Sequence, residues 1–233
     1  MKLILCNSHN EILNNKKKWK KILSKYPQGV ILRGLYKKNF ILKFKRWIIK
    51  NKFFIKKNYR YNLSTPNHSK IVNKDYLSKR PTRFMLYQYF LWNETENQEY
   101  QDFFINFIKV KNILNGLSPY FGIKNIKKFI SWISVLHYRR GGDYIATHKD
   151  NYMFQSILIM SEFGKDFKSG GQYFLNEHGN NFTEDKFKIG DLVMLKANYY
   201  HGVYPIDQNL KDDGKSGRWM MFSPYVKSSL IRD

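Results

Sequence analysis

Tyr138-Arg-Arg-Gly-Gly-Asp-Tyr-Ile-Ala-Thr-His148-Lys-Asp150 is the stretch from which the rest of this chain is read. Gly141 and Gly142 supply a turn, and Asp143–Thr147 reads as the strand that follows it. The strand delivers His148-x-Asp150, two residue types that bind divalent metals.

Two positions further on complete the pattern. His201 lies 51 residues past Asp150, and Arg218 lies 17 past His201. Two imidazoles and one carboxylate, with coordination positions left open, are the donor set of non-haem Fe(II) sites that use oxygen. Arginine is the residue type that grips a planar carboxylate with a two-pronged hydrogen bond. An iron that keeps positions free for O₂ needs two electrons. A 2-oxo acid can supply them, and its distal carboxylate needs a cation. The sequence around these residues keeps the order that such a site requires. Ile189-Gly-Asp-Leu-Val-Met-Leu195 reads as a tight turn and a buried strand, His201-Gly-Val-Tyr-Pro205 as the next strand, and Gly217-Arg-Trp-Met-Met-Phe222 as the last.

On these motifs the segment 131–226 resembles the Fe(II)/2-oxoglutarate-dependent dioxygenases. The resemblance covers about 95 of the 233 residues. It implies a mainly β protein with supporting helices (α+β), folded as a double-stranded β-helix, a jelly-roll barrel with iron at its open mouth. It implies that His148, Asp150 and His201 ligate Fe(II) and that Arg218 pairs with the distal carboxylate of 2-oxoglutarate. The implied reaction consumes O₂, hydroxylates a substrate C–H bond and releases succinate and CO₂. Demethylation is the same chemistry on an N-methyl carbon. Relatives that halogenate replace the carboxylate ligand with a small residue, so Asp150 marks a hydroxylase-type site. The family often carries Ser or Thr two residues after its arginine. Here that place is Met220, and the hydroxyl of Tyr138 is the candidate replacement. For His137 and Tyr144 core packing outweighs a place in the pocket. Asp191 is expected to shape its turn.

Charge divides the chain unevenly. The net charge is +23. Residues 1–80 hold 22 Lys and Arg against Glu11 and Asp75, a net +20, whereas residues 81–233 hold 19 against 16 acids, a net +3. The expected organisation is therefore a basic N-terminal extension over 1–80, packed on or beside a jelly-roll domain over 81–233. Hydrophobic content of 42% fits a folded chain. The single cysteine, Cys6, excludes an internal disulfide and a thiolate metal site, and a reducing interior suits Fe(II). The apolar run after Met1 is too short for a signal peptide, and no run approaches a membrane span, so a cytoplasmic location is expected.

Along the extension, Leu3–Cys6 reads as a strand and a lysine-rich helix capped by Asn10 follows, ended by Tyr26-Pro-Gln-Gly29. Residues 35–57 have the composition of a basic amphipathic helix, with Phe40, Phe44, Trp47, Ile48 and Ile55 on one face. Its bland reading is an aromatic face packed on the barrel with lysines in water. Its functional reading is a docking face for anionic lipid, an acidic carrier protein or nucleic acid, since aromatics among basic residues suit single strands. Residues 63–80 read as loop, with His68 exposed. Residues 81–93 read as a strand, and Thr95 to Leu117 as a helix with a Thr95/Gln98 capping box. A second short helix is expected at Ile126–Ile130, a solvated turn at His178, and a polar loop over 207–216.

Three functions compete. The first is a hydroxylase of a small-molecule, carrier-bound or side-chain substrate, its anionic charge matched by the basic third. The second is a nucleic-acid oxygenase or demethylase using residues 1–80. Demethylases of the superfamily usually carry a second arginine about six residues after the first, where this chain has Ser223-Pro224. The third is a jelly-roll binding module without catalysis, against which the intact triad and Arg218 argue.

Overall fold

The computed structural model describes residues 1–26, 29–51, 62–74, 79–93, 97–124, 129–150, 154–176, 179–182, 184–196 and 199–227. The chain opens with β1 (Lys2–Leu5), α1 (His9–Leu13), α2 (Lys16–Lys25), β2 (Val30–Arg33) and α3 (Lys38–Lys50). It continues through β3 (His68–Lys74), β4 (Thr82–Tyr89) and α4 (Gln98–Leu114). Ten strands follow: β5 (Phe129–Ile130), β6 (Ile133–Arg139), β7 (Tyr144–His148), β8 (Phe154–Ile159), β9 (Gly171–Asn176), β10 (Gly179–Phe182), β11 (Leu192–Lys196), β12 (His201–Tyr204), β13 (Gly217–Phe222) and β14 (Val226–Lys227). A 3₁₀ turn at Glu184–Lys186 precedes β11.

Twelve strands form one curled sheet in the order β1-β2-β11-β8-β13-β6-β4-β7-β12-β9-β10, with β3 paired to β4. β1 and β2 are parallel, and the other pairs are antiparallel. β4 makes the corner, pairing with β6 along most of its length and with β7 at Thr82 and Arg83. The curl gives the double-stranded β-helix, with an inner and an outer face. Strand residues alternate between the two faces. Leu136, Tyr138, Ile157, Val193, Leu195 and Met220 belong to the inner cluster. Val135, Leu158, Leu192, Met194, Trp219 and Met221 belong to the outer one.

The helices cover the outer face. α4 lays Tyr100, Phe103, Phe104 and Phe107 there, and α3 brings Phe40, Phe44 and Trp47 against them. Lys43, Arg46 and Lys50 of α3 and the six lysines of α2 are exposed. Over 38–50 the amphipathic pattern is thus used for packing, and these aromatics are not presented to bases. Ile55 lies outside the described residues. Lys45 is an exception to the solvated face: it is buried and pairs with Asp166 at 2.8 Å.

Several local expectations are corrected. Residues 68–74 are not loop but β3, and His68 is buried, with Nδ1 2.9 Å from the Pro66 carbonyl and its ring against Phe90. Period-2 patterning is weak there because Ser69, Lys70, Asn73 and Lys74 are polar on both faces, so β4 rather than local propensity makes the strand. The first helix is capped by Ser8, not Asn10, and breaks into α1 and α2. α4 starts at Gln98 with Asn97 as its cap, while Thr95 lies outside the described residues. Phe129 and Ile130 pair with β14 as strand rather than ending a helix. Pro27, Gln28 and His178 lie outside the described residues as well. The sheet and the outer cluster run across residue 80, since β2 pairs with β11 and β3 with β4.

Candidate metal centre

The β6–β7 hairpin fixes the first two candidate ligands. Gly141 and Gly142 turn it with φ of 83° and 89°, a region that side chains with a Cβ rarely enter. Buried Asp143 then locks the turn, accepting from Arg83 Nε at 2.7 Å, Arg139 Nε at 2.7 Å and the Arg139 backbone N–H at 3.1 Å. β7 leaves the turn and ends at His148. β12 pairs with it so that His201 sits directly opposite His148. Asp150 follows just past the strand.

The three side chains converge. One ligand atom from each lies within 4.8 Å of the others. His148 Nε2 is 3.8 Å from Asp150 Oδ1, and His201 Nε2 is 3.5 Å from Asp150 Oδ2. Each imidazole is oriented from behind. His148 Nδ1 is 2.8 Å from the Ala146 carbonyl and His201 Nδ1 is 2.9 Å from the Tyr199 carbonyl. A carbonyl only accepts, so Nδ1 carries the proton and Nε2 presents its lone pair to the centre. Burial, with His201 and Arg80 nearby, lowers the His148 pKa to about 4, which keeps the ring neutral and able to ligate. Burial raises the Asp150 pKa, but its contacts with His201 and His148 and the nearby Arg80 guanidinium outweigh it and hold the carboxyl below its ordinary range. Gln155 Nε2 donates to Asp150 Oδ2 at 3.1 Å and steadies it. Neutral imidazoles aimed by backbone carbonyls, plus an ionised carboxylate, fit a divalent metal.

The triad opens into a cavity of about 290 Å³. Tyr138, Gln172, Met220, Lys111 and Arg80 contribute to its wall. Tyr138 is buried, and burial holds its hydroxyl protonated far above the usual phenol range, so it offers an O–H donor. Arg218 is placed differently. It lies opposite Tyr138 in the β13–β6 ladder, is 1% exposed, and does not itself line the cavity. Its Nε donates to Glu184, its Nη2 to Gln172 Oε1 at 2.9 Å, and its Nη1 to Met220 Sδ at 3.0 Å. Glu184 also accepts from the Gln172 backbone N–H at 2.9 Å. Gln172 and Met220 thus stand on the cavity wall with Arg218 behind them.

His137 packs in the outer layer as expected, stacked 3.8 Å from Trp219 with Nε2 2.8 Å from the Ser216 carbonyl. Asp191 shapes its turn by accepting from the Lys188 N–H, and pairs with Arg33 at 2.7 Å. Four residues around the site had no signal in the sequence: Glu184, Gln172, Gln155 and Lys111. Each comes from an element distant in the chain or a polar position without a motif, and the curl of the sheet and the seating of α4 bring them to the site.

No protein-family profile matches the chain, and no curated protein sequence does. Solved structures of similar fold exist. A full-length Neurospora crassa protein in complex with alpha-KG and thymine superposes with a TM-score of 0.57 at 9% identity, over 96% of this chain and 86% of that one. A Pseudomonas putida prolyl-4-hydroxylase gives 0.53 at 10% identity, over 94% and 100%. An oxidoreductase of the 2OG-Fe(II) oxygenase family from Burkholderia pseudomallei gives 0.51 at 11% identity, over 91% and 90%. The chain therefore has the fold of 2OG-Fe(II) oxygenases over nearly its whole length, with two histidines and an aspartate gathered at the wall of its cavity.

Proposed function

We propose that the protein is an Fe(II)- and 2-oxoglutarate-dependent dioxygenase that hydroxylates a C–H bond of a small molecule. The observation that carries this reading is the convergence of His148, Asp150 and His201 at the cavity wall. Bound Fe(II), 2-oxoglutarate and O₂ would supply the oxidising chemistry, with succinate and CO₂ as co-products. This chain's residues do the placing. His148 Nε2, His201 Nε2 and an Asp150 oxygen hold the metal. Tyr138 and Arg218 receive the distal carboxylate of the cosubstrate. Three of the five guanidinium N–H donors of Arg218 go to Glu184, Gln172 and Met220, and two remain for that carboxylate. Rotation of Met220, a flexible thioether, opens the way to them. The apolar wall of Leu136, Ile145, Ile157 and Val203 keeps water from the reacting centre.

The cavity volume supports a small substrate, since it sits at the lower end of the roughly 300–1,000 Å³ range of small-ligand pockets. Thymine, held by the Neurospora protein with alpha-KG, is of that size class. Nucleic acid is the second reading, supported by the exposed lysines of α2 and α3. These lie on the helices over the outer face of the sheet, whereas the cavity opens on the inner face.

The test is anaerobic addition of Fe(II) and 2-oxoglutarate to the protein. A visible charge-transfer band is expected, lost in His148→Ala and requiring at least ten-fold more cosubstrate in Arg218→Ala. A folded, metal-loaded protein without the band would overturn the proposal.

A further inference from the structure

Lys111 is the one residue of α4 that reaches the cavity wall. It is 2% exposed. Its Nζ donates to Ser223 Oγ at 3.1 Å, to the Ser223 carbonyl at 3.3 Å and to Ser131 Oγ at 3.3 Å, and lies 3.6 Å from the centre of the Tyr225 ring. All of these partners are neutral, and no described carboxylate pairs with it. A buried lysine without a counter-ion is costly, and such groups are almost always paired. Burial alone pushes the amine well below the ordinary lysine range. The position could hold a methionine or leucine at less cost, yet it holds a lysine at the wall of the cavity that contains the metal triad.

Charge accounting gives the missing partner a sign. Arg218 is answered by Glu184 within the protein. Arg80 lies at the cavity with Nη1 3.6 Å from Asp150 Oδ1. Arg80, Lys111 and a divalent metal would bring four positive charges to the cavity, against three negative ones from Asp150 and a 2-oxo dicarboxylate. One negative charge is still wanted. Ser223, on the same wall, adds a hydroxyl donor for it.

Position separates this site from the cosubstrate's. Arg218 is near the start of β13, against Tyr138, and Ser223 is just past its end. The two cations thus sit at opposite ends of one strand. With a 2-oxo acid running from the metal toward Arg218, Lys111 stands at the other end of the strand, beside Ser223. We infer that Lys111 holds the carboxylate or phosphate group of the small molecule oxidised at this centre, so that the substrate is an acid. This rests on the dioxygenase reading and narrows its substrate class.

The experiment uses the full chain with Mn(II), a paramagnetic divalent ion, in the metal site and saturating 2-oxoglutarate. Inorganic phosphate is followed by ³¹P relaxation and acetate by ¹³C relaxation. At least one of the two should be relaxed by the bound metal, with affinity reduced ten-fold or more in both Lys111→Met and Lys111→Gln and kept within a few-fold in Lys111→Arg. The Fe(II)·2-oxoglutarate band of Lys111→Met should match wild type. Relaxation of neither anion in wild type, or equal relaxation in the variants, overturns the inference. A band in Lys111→Met that needs far more 2-oxoglutarate also overturns it, by making Lys111 the cosubstrate's partner. Absence of the band in wild type is a separate failure: it removes the dioxygenase reading, and this inference with it.

Discussion

Glu184 sets its carboxylate against the guanidinium of Arg218, with both side chains shut off from water at 2% and 1% exposure. The arginine expected to meet a cosubstrate carboxylate already has one. A guanidinium neutralised in this way attracts a second anion less strongly, while its remaining donors keep their geometry.

Replacing Glu184 by Gln should therefore have two opposed effects. The buried arginine loses its counter-charge, which costs about 3 kcal/mol of stability, on the order of 10 °C in Tm for a chain of this size. Added 2-oxoglutarate should restore much of that loss, because its carboxylate replaces the missing one. Thermal melts with and without 2-oxoglutarate check this. A larger 2-oxoglutarate-induced rise in wild type than in Glu184→Gln would show that the cosubstrate does not reach Arg218.

Gln155 holds Asp150 through a single hydrogen bond of 3.1 Å. Partners that orient a metal ligand typically contribute about 10–100-fold to metal affinity. Gln155→Ala should weaken Fe(II) binding by about ten-fold while leaving Tm near wild type. Metal titration by calorimetry reads the first and a melt the second.

Gly202 follows His201 on β12. A Cβ there would run into the Tyr173 hydroxyl and lie 2.8 Å from the Ile145 carbonyl of β7. Gly202→Ala should push β12 away from β7 and carry His201 out of line with His148. The expected result is a folded protein whose metal affinity falls at least ten-fold. Unchanged affinity would mean that Tyr173 yields without moving the strand.

Lys111→Met should stabilise the protein, by about 1 kcal/mol or more and so by roughly 2–4 °C in Tm. The sign in pH follows from the lowered amine pKa. Between that lowered value and the unfolded value of about 10.5, the unfolded chain binds the extra proton, so wild-type stability rises with pH across this window. Lys111→Met should lack this rise. Denaturant melts at several pH values, compared between the two proteins, decide it.

Much of the fold was legible in the sequence. The turn at Gly141-Gly142, the strands carrying His148, His201 and Arg218, and the long helix 98–114 all follow from glycine punctuation and apolar periodicity. Spacing also marked the triad, because strand ends with His and Asp two apart form a recognisable local pattern. β3 escaped, since its polar residues carry no period and its partner β4 supplies the order.

Which residue types can ligate a metal is written in the chain itself, and the glycine turns and apolar runs that mark the barrel strands in order are local patterns. What those groups face is a property of the folded molecule. Glu184 meets Arg218 across 34 residues, Gln172 across 46, and Lys111 meets Ser223 across 112. Such encounters depend on the curl of a sheet and the seating of a helix, which no local pattern encodes. They also settle whether a buried charge is already balanced, as at Arg218, or has no carboxylate partner among the described residues, as at Lys111.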